Sequence, residues 1–114
     1  MDLNYFKKTK ILDGGVGQEL LAKGLISKGT LWSASALLEK KFHQLLVDVH
    51  LSFINAGADV IVTNNFSSKK IRLIQNKVEE KFEYVKSFLI GSSLNVIAPF
   101  INLYAENDKF LLSK

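Results

Sequence analysis

The chain has 114 residues, of which 47% are hydrophobic and 23% are charged, values typical of one small globular domain and unlike those of a disordered chain. Its formal net charge is +4, but the lysines are spread along the chain, so we expect a solvated surface and no nucleic-acid partner. The sequence contains no cysteine, which excludes a disulfide framework or a thiolate metal site within these residues and fits a reducing compartment.

The first elements predict the start of an α/β fold. The N-terminal residues lack the apolar core of a secretory signal, so we expect a cytoplasmic protein. Residues 9–13 predict a buried strand of a parallel sheet. Residues 16–24 predict a short helix that Gly24 ends. Residues 25–35 predict a loop in which Trp32 packs as an anchor.

Residues 35–56 predict the longest helix, because apolar side chains recur along one face at three- and four-residue spacing. Gly57 ends this helix, and residues 60–62 form a second apolar strand. Strand, helix and strand in this order predict a βαβ unit with parallel strands. The apolar residues of the helix face are Leu38, Phe42, Leu45, Leu46, Val49, Phe53 and Ile54.

The last third of the chain is less regular. Residues 70–88 predict a second amphipathic helix, and residues 95–100 predict a third strand that Pro99 cuts short. Residues 87–105 carry no charge and nearly reach the length that spans a bilayer. Their polar residues and proline disfavour insertion, so we expect a buried strand with loops and no membrane partner, with a small membrane-associated protein as the alternative.

Two strand ends carry the residue types that chemistry needs. Loops that follow parallel strands converge on one mouth, where ligands bind. A carboxylate and backbone N–H groups there predict a site for a small zwitterion, whereas a plain turn or a helix cap is the structural alternative. The glycines lack the spacing of a dinucleotide or phosphate loop. The residues at the two ends are Asp13, Gly14 and Gly15, and then Thr63, Asn64 and Phe66.

Three further polar residues have open roles. His43 and His50 lie seven residues apart in one predicted helix and could share a face. No HExxH pattern accompanies them, so we expect packing or surface histidines and no metal site. Glu19 is either a residue of the helix surface or a polar contact beneath the mouth, and its spacing does not decide between the two.

Three segments, ILDGGVGQEL, LWSASALLE and VHLSFINAGADVIVTNNF, resemble in this order the homocysteine S-methyltransferase family. The resemblance covers about residues 10–66, and we expect residues 67–114 to be a diverged part of one domain spanning residues 1–114. It implies a (β/α)8 barrel of the TIM type. Such a barrel takes about 250 residues, so this chain would supply a partial barrel, the first two to three βα units with parallel strands.

The resemblance implies methyl transfer to the thiol of homocysteine, which gives methionine, and a zinc ion that activates the thiol in the full-length family. Gln18 and Asn65 depart from the family pattern, which usually has threonine at the first position and threonine or serine at the second. The zinc ligands of the family are cysteines from late strands, so we expect no metal site and no activity from this chain alone. The residues implied in substrate binding are Asp13, Gly14, Gly15, Glu19, Thr63, Asn64 and Phe66.

Three interpretations stay open. The chain is the N-terminal part of a methyltransferase, which pairs with a complementary chain or with itself because a partial barrel exposes a strand edge and apolar surface. Alternatively, it is a non-catalytic amino-acid-binding or regulatory remnant of the same barrel. The third interpretation is another α/β-barrel enzyme, such as a phosphate-binding lyase, which would bind a phosphorylated ligand.

Overall fold

The computed structural model of the chain describes residues 3–64, 66–87 and 110–112. The helices in these ranges are α1 Val16–Ala22, α2 Ser35–Leu38, α3 His43–Asn55, α4 Lys70–Gln75 and α5 Phe82–Ser87. The strands are β1 Val60–Val62 and β2 Phe110–Leu112. Short 3₁₀ segments cover Leu3–Lys7, Gly29–Ala34, Lys40–Phe42 and Glu79–Lys81. The described part of the chain is therefore mostly helical, with a small parallel sheet.

β1 lies between two parallel neighbours. On one edge it pairs with β2, with Val60 opposite Phe110. On the other edge Leu12 forms a single parallel bridge to Val60. The predicted order of strand, helix and parallel strand is therefore present only in part, because a one-residue bridge stands in place of the first strand. The described residues contain no closed barrel.

The last third of the chain contains a strand that the sequence does not predict. β2 lies in a stretch for which the sequence predicts no element, because three residues are too few to show a hydrophobic period. The predicted third strand, residues 95–100, lies outside the described residues. Residues 88–105, nearly all of the uncharged segment weighed as a membrane span, also lie outside the described residues. Among the residues that are described, no helix is both long and apolar enough to cross a bilayer.

The first apolar run lies exposed, so the prediction of a buried strand is wrong for this segment. Ile11 and Leu12 are 59% and 58% exposed, and among the described residues Leu12 pairs with a strand on one side only. A strand is buried on both faces only when layers cover both of them. No described element covers the outer side of these residues, which makes them an edge of the sheet.

The predicted helix over residues 35–56 is interrupted at Glu39, which adopts extended backbone angles of φ −125° and ψ 119°. Ser35, Ala36 and Leu37 are buried in succession. An amphipathic helix that lies along a surface buries only every third or fourth residue, so α2 instead runs into the core. The chain returns to the surface at Glu39, and the apolar face that the sequence predicts continues in α3.

Glycines end two of the helices, as the sequence predicts. Gly24 follows α1 with φ +101° and Gly57 follows α3 with φ +105°. After α1, the N–H of Leu25 donates to the carbonyl of Leu20 at 2.9 Å, and the same six-residue bond closes α3. These are Schellman motifs, in which a left-handed residue satisfies the last carbonyls of the helix.

The predicted helix over residues 70–88 breaks in the same way, but without a glycine. Lys77 adopts φ +55°, and its N–H donates to the carbonyl of Ile74 at 3.0 Å. The N–H of Val78 donates to the carbonyl of Leu73 at 2.9 Å, which completes a third Schellman motif. The prediction of one continuous helix is wrong here because a left-handed lysine carries no sequence signal.

The core contains a large cluster of buried apolar residues among the helices. A second, smaller cluster joins α3 to β1 through Val47, Ile54, Ala58 and Ile61. The segment that ends at Asp13 belongs to neither cluster. Hydrogen bonds hold it beside β1, which positions the site described below. The largest cluster contains Leu20, Leu25, Ala34, Ala36, Leu37, Leu46, Val49 and Val85.

Candidate functional site

A cleft of about 270 Å³ opens where the two predicted strand ends meet. This volume lies near the lower end of the range for small-molecule sites, about 300–1,000 Å³. The structure brings together most of the predicted site residues here, whereas Gly15 and Glu19 do not line the cleft. The lining residues are Leu12, Asp13, Gly14, Val16, Gly17, Ser33, Val62, Thr63, Asn64 and Phe66.

Asp13 fastens the two strand ends to each other. Its backbone N–H donates to the carbonyl of Val60 at 2.9 Å, and its carboxylate Oδ2 accepts from the N–H of Val62 at 2.9 Å. The backbone turns away after Asp13, so the carboxylate replaces the next hydrogen bond of the sheet. Because hydrogen bonds to an ionised group are stronger than neutral ones, Asp13 has a structural role whatever it binds.

Adjacent glycines indicate that another group comes close to the backbone. At Gly14 that group is a side chain of the protein itself. A Cβ added at Gly14 would lie 2.8 Å from Cε1 of Phe53 in α3, closer than a real side chain can come. A Cβ at Gly15 would lie 3.6 Å from Cβ of Gln18, which is an ordinary contact. Packing of α3 therefore requires glycine at position 14, but not at position 15.

Glu19 lies on the surface of α1, outside the cleft. Its Oε1 is 3.3 Å from Nζ of Lys23, one helical turn later, and both side chains are about 40% exposed. Exposed pairs at this spacing stabilise a helix by only about 0.3–0.5 kcal/mol. This placement corresponds to the helix-surface interpretation, and a substrate contact from Glu19 stays a prediction.

The residues that follow β1 form the opposite wall of the cleft. Oγ1 of Thr63 is buried and has no hydrogen-bond partner among the described residues. Nδ2 of Asn64 donates to the carbonyl of Ser33 at 2.7 Å, and Phe66 is 66% exposed at the rim. A buried hydroxyl without a partner costs about 1–3 kcal/mol, and such a group in a native protein calls for an explanation, such as a bound ligand or water.

The sequence interpretation missed Gly17 and Ser33. A Cβ at Gly17 would lie 3.1 Å from the indole ring of Trp32 and 3.2 Å from Cβ of Ser33, so the 3₁₀ segment packs directly on the backbone of α1. The signal for Gly17 is its place as the third glycine of the segment ILDGGVGQEL, where the sequence predicts only a helical residue. Trp32 packs here as predicted, although it stays 43% exposed.

The two histidines lie away from the cleft. His50 is buried in α3 with 4% of its surface exposed, and burial lowers its pKa from 6.5 to about 4 because the charged form loses its hydration. Nε2 of His43 lies 3.3 Å from the carbonyl oxygen of Leu37. Both therefore act as packing residues of the helical layer.

Comparison with known proteins decides the family. The sequence profile described as homocysteine S-methyltransferase matches residues 10–94, most of the chain. The chain belongs to the homocysteine S-methyltransferase family. The resemblance that the sequence motifs carry is thereby confirmed. The similarity to the family extends to residue 94, whereas the motifs end at residue 66.

Individual members of the homocysteine S-methyltransferase family match a shorter part. Homocysteine S-methyltransferase 4 of Zea mays is 40% identical over 58 residues, which cover 51% of this chain and 16% of that protein. Homocysteine S-methyltransferase YbgG of Bacillus subtilis is 38% identical over 58 residues, 51% of this chain and 18% of the relative.

Homocysteine S-methyltransferase 2 of Saccharomyces cerevisiae matches almost the whole chain, with 25% identity over 115 aligned positions, 93% of this chain and 34% of that protein. The chain therefore spans only about a third or less of the length of these relatives. No solved structure matches the chain significantly.

The donor set for zinc, which the homocysteine S-methyltransferase family implies, does not fit these residues. The sequence has no cysteine. The described residues contain no group of three or more histidine, aspartate or glutamate side chains that could hold a metal ion. Zinc at a structural or catalytic site requires three or four such ligands, and the described residues do not supply them.

Proposed function

We propose that the chain forms the homocysteine-binding end of a homocysteine S-methyltransferase barrel of the TIM type, as its first two to three βα units. The convergence of Asp13, Gly14, Thr63 and Asn64 in one cleft at the carboxyl ends of parallel segments carries this proposal. Barrels of this type bind their ligands at that end of the strands. The relatives are named for action on homocysteine, which supplies the ligand.

The cleft offers complementary chemistry for the amino-acid part of homocysteine. A carboxylate has about four acceptor positions. In addition to its bond from Val62, Asp13 accepts from the substrate ammonium group in this proposal. The hydroxyl of Thr63 hydrogen-bonds the substrate once the ligand enters. Val16 and Phe66, which also line the cleft, contact the methylene groups.

The barrel requires further strands, and we propose that one of them docks at the segment that contains Leu12. Within the part of the chain that the structure describes, Leu12 pairs only with Val60, on one edge, and its side chain is 58% exposed. An open strand edge with apolar side chains is a template for another strand. In this proposal the remaining barrel units pair there, and they bring the cysteine ligands that these residues lack.

Titration calorimetry with L-homocysteine tests the proposal on the 114-residue chain, in the presence of a chelator. The informative variant is Asp13→Asn, which keeps an acceptor for the N–H of Val62 but removes the negative charge. We expect binding to the native chain and about tenfold weaker binding to this variant, as for the loss of one charge-assisted hydrogen bond.

The matched control is Asp48→Asn. Asp48 accepts a hydrogen bond from Gln44 on the exposed side of α3, so this variant removes one negative charge outside the cleft. It should bind as the native chain does. The absence of binding to the native chain, or equal weakening by both variants, would refute the proposed site.

A second candidate function is a non-catalytic, amino-acid-binding remnant, which the lack of cysteine favours. Addition of a polypeptide with the remaining barrel units and their cysteines separates the two. Methyl transfer to homocysteine in the mixture would support a split enzyme. Binding of homocysteine by this chain without methyl transfer in the mixture would support the remnant.

A further inference from the structure

Trp32 has a strained backbone. Its angles of φ +47° and ψ −122° lie near those of the first central residue of a type II′ turn, a position that normally takes glycine. A bulky residue with positive φ is an outlier and persists only where surrounding contacts hold it. The strain lies beside the cleft, because the next residue, Ser33, is part of its wall.

Two contacts hold the strained turn in place. On one side the indole ring lies against the backbone of Gly17 in α1, at 3.1 Å from the position that a Cβ would take. On the other side the carbonyl of Ser33 accepts the 2.7 Å hydrogen bond from Nδ2 of Asn64. This bond joins residues that are 31 positions apart in the sequence, and it connects the end of β1 to the turn.

We infer that Asn64 is a positioning residue, which holds the strained turn at Trp32 and thereby sets the cleft wall formed by Gly17 and Ser33. Its amide acts on the site through the backbone of Ser33. The consequence for homocysteine binding rests on the proposed function, but the effect on the turn does not. This role differs from the direct substrate contact that the family resemblance implies for Asn64.

The chain has a single tryptophan, so fluorescence excited at a wavelength that tyrosine does not absorb reports Trp32 alone. The variant Asn64→Asp keeps the shape of the side chain but replaces the donor with an oxygen that repels the carbonyl of Ser33. We expect a red-shifted emission and stronger quenching by acrylamide, because the turn relaxes and the indole leaves Gly17. Asn55→Asp makes the same chemical change at an exposed residue at the end of α3 and should leave both signals unchanged.

A second variant keeps the test decisive if the aspartate variant does not fold. Asn64→Ser removes the amide without adding a charge, and far-UV circular dichroism verifies its helices. It should show the same red shift. Emission and quenching equal to those of the native chain in a folded variant at position 64 would overturn the inference.

Homocysteine affinity provides the functional part of the test. We expect about tenfold weaker binding for Asn64→Asp, as for the loss of one positioned hydrogen bond, and no change for Asn55→Asp. Weaker binding with an unchanged Trp32 emission would indicate direct contact with the substrate and overturn the inference. If the native chain does not bind homocysteine, the proposed function fails, and the fluorescence comparison still decides the role of Asn64.

Discussion

The N–H of Val62 donates a 2.9 Å hydrogen bond to the carboxylate of Asp13, on the segment that has only one bridge to β1. At the other end of the same pairing, the N–H of Ile11 donates to Oδ2 of Asp59 at 3.1 Å. Two aspartates therefore hold a segment that is too short for a ladder of its own. Asp13, which the family resemblance implies in substrate binding, therefore also stabilises the pairing of this segment with β1.

Substitution of Asp13 should separate these two roles. We expect Asp13→Ala to lower the free energy of unfolding by about 2 kcal/mol, because the part-buried N–H of Val62 loses its hydrogen bond to the carboxylate. Asp13→Asn, which retains an acceptor oxygen, should cost less than half of that. Urea denaturation followed by circular dichroism measures both. Equal losses for the two variants would contradict a structural role for the hydrogen bond.

Gly14→Ala should destabilise the protein by about 1–3 kcal/mol, the usual cost of forcing an extra methyl group into a packed position. The new Cβ would lie 2.8 Å from the Phe53 ring. Gly15→Ala is the control, since its Cβ meets only Cβ of Gln18 at 3.6 Å, and it should change stability by less than about 0.5 kcal/mol.

A compensating change checks the cause of this loss. The double variant Gly14→Ala with Phe53→Leu should recover part of the stability relative to the sum of the single changes, because the shorter side chain makes room for the methyl group. Strictly additive effects in the same urea denaturation experiment would show that the Phe53 ring is not what Gly14 accommodates.

Lys77→Gly should stabilise the protein by about 1 kcal/mol, because glycine adopts the left-handed conformation without the penalty that a Cβ brings. Lys77 has φ +55° and ends α4. The reverse change, Gly24→Ala, should cost about 1–2 kcal/mol, since φ there is +101° and no atom lies within 4 Å of the added Cβ. Thermal unfolding of both variants measures the two effects, and a destabilised Lys77→Gly would contradict the assigned conformation.

Acid should unfold the protein partly through His50. Burial lowers the pKa of His50 from 6.5 to about 4, so between these values the unfolded chain takes up a proton that the folded chain excludes. Stability from this residue is complete above pH 6.5 and falls as the pH drops, by about 2 kcal/mol at pH 5. The variant His50→Leu should lack this part of the acid dependence.

The control for the acid effect is His43→Gln, at the histidine that contacts the carbonyl of Leu37. Urea midpoints measured between pH 7 and pH 5 should fall as steeply in this variant as in the native chain. If instead His50→Leu keeps the full acid dependence, the buried imidazole is not its source.

The open edge at Leu12 should cause association at high concentration. Leu12 is 58% exposed and Ile26 is 73% exposed, but only Leu12 belongs to a strand edge. In sedimentation velocity, Leu12→Lys should reduce any association of the native chain, because a charged edge resists pairing, whereas Ile26→Lys should not. A native chain that stays monomeric at all concentrations would contradict an exposed pairing edge.

Some of the helix ends can be predicted from the sequence and others cannot. Gly24 and Gly57 predict two helix ends correctly because glycine itself favours the left-handed conformation that they adopt. The same motif at Lys77 cannot be predicted from the sequence, because it depends on the packing of Leu73 and Val78 against Leu31. The extended Glu39 is a similar case, because burial of the three residues before it directs the chain.

The sequence by itself determined the family, the order of strand and helix, and the residues that gather at the strand ends, because these depend on local composition and on the geometry of parallel strands. Tertiary structure alone decided what those residues contact. The ring of Phe53 packs against Gly14, and the carboxylate of Asp13 accepts from the N–H of Val62. The amide of Asn64 donates to the carbonyl of Ser33, next to the turn at Trp32. In each contact the two residues are more than 30 positions apart in the sequence. Contacts between such distant positions follow from how the helices pack, and spacing along a chain does not encode that packing.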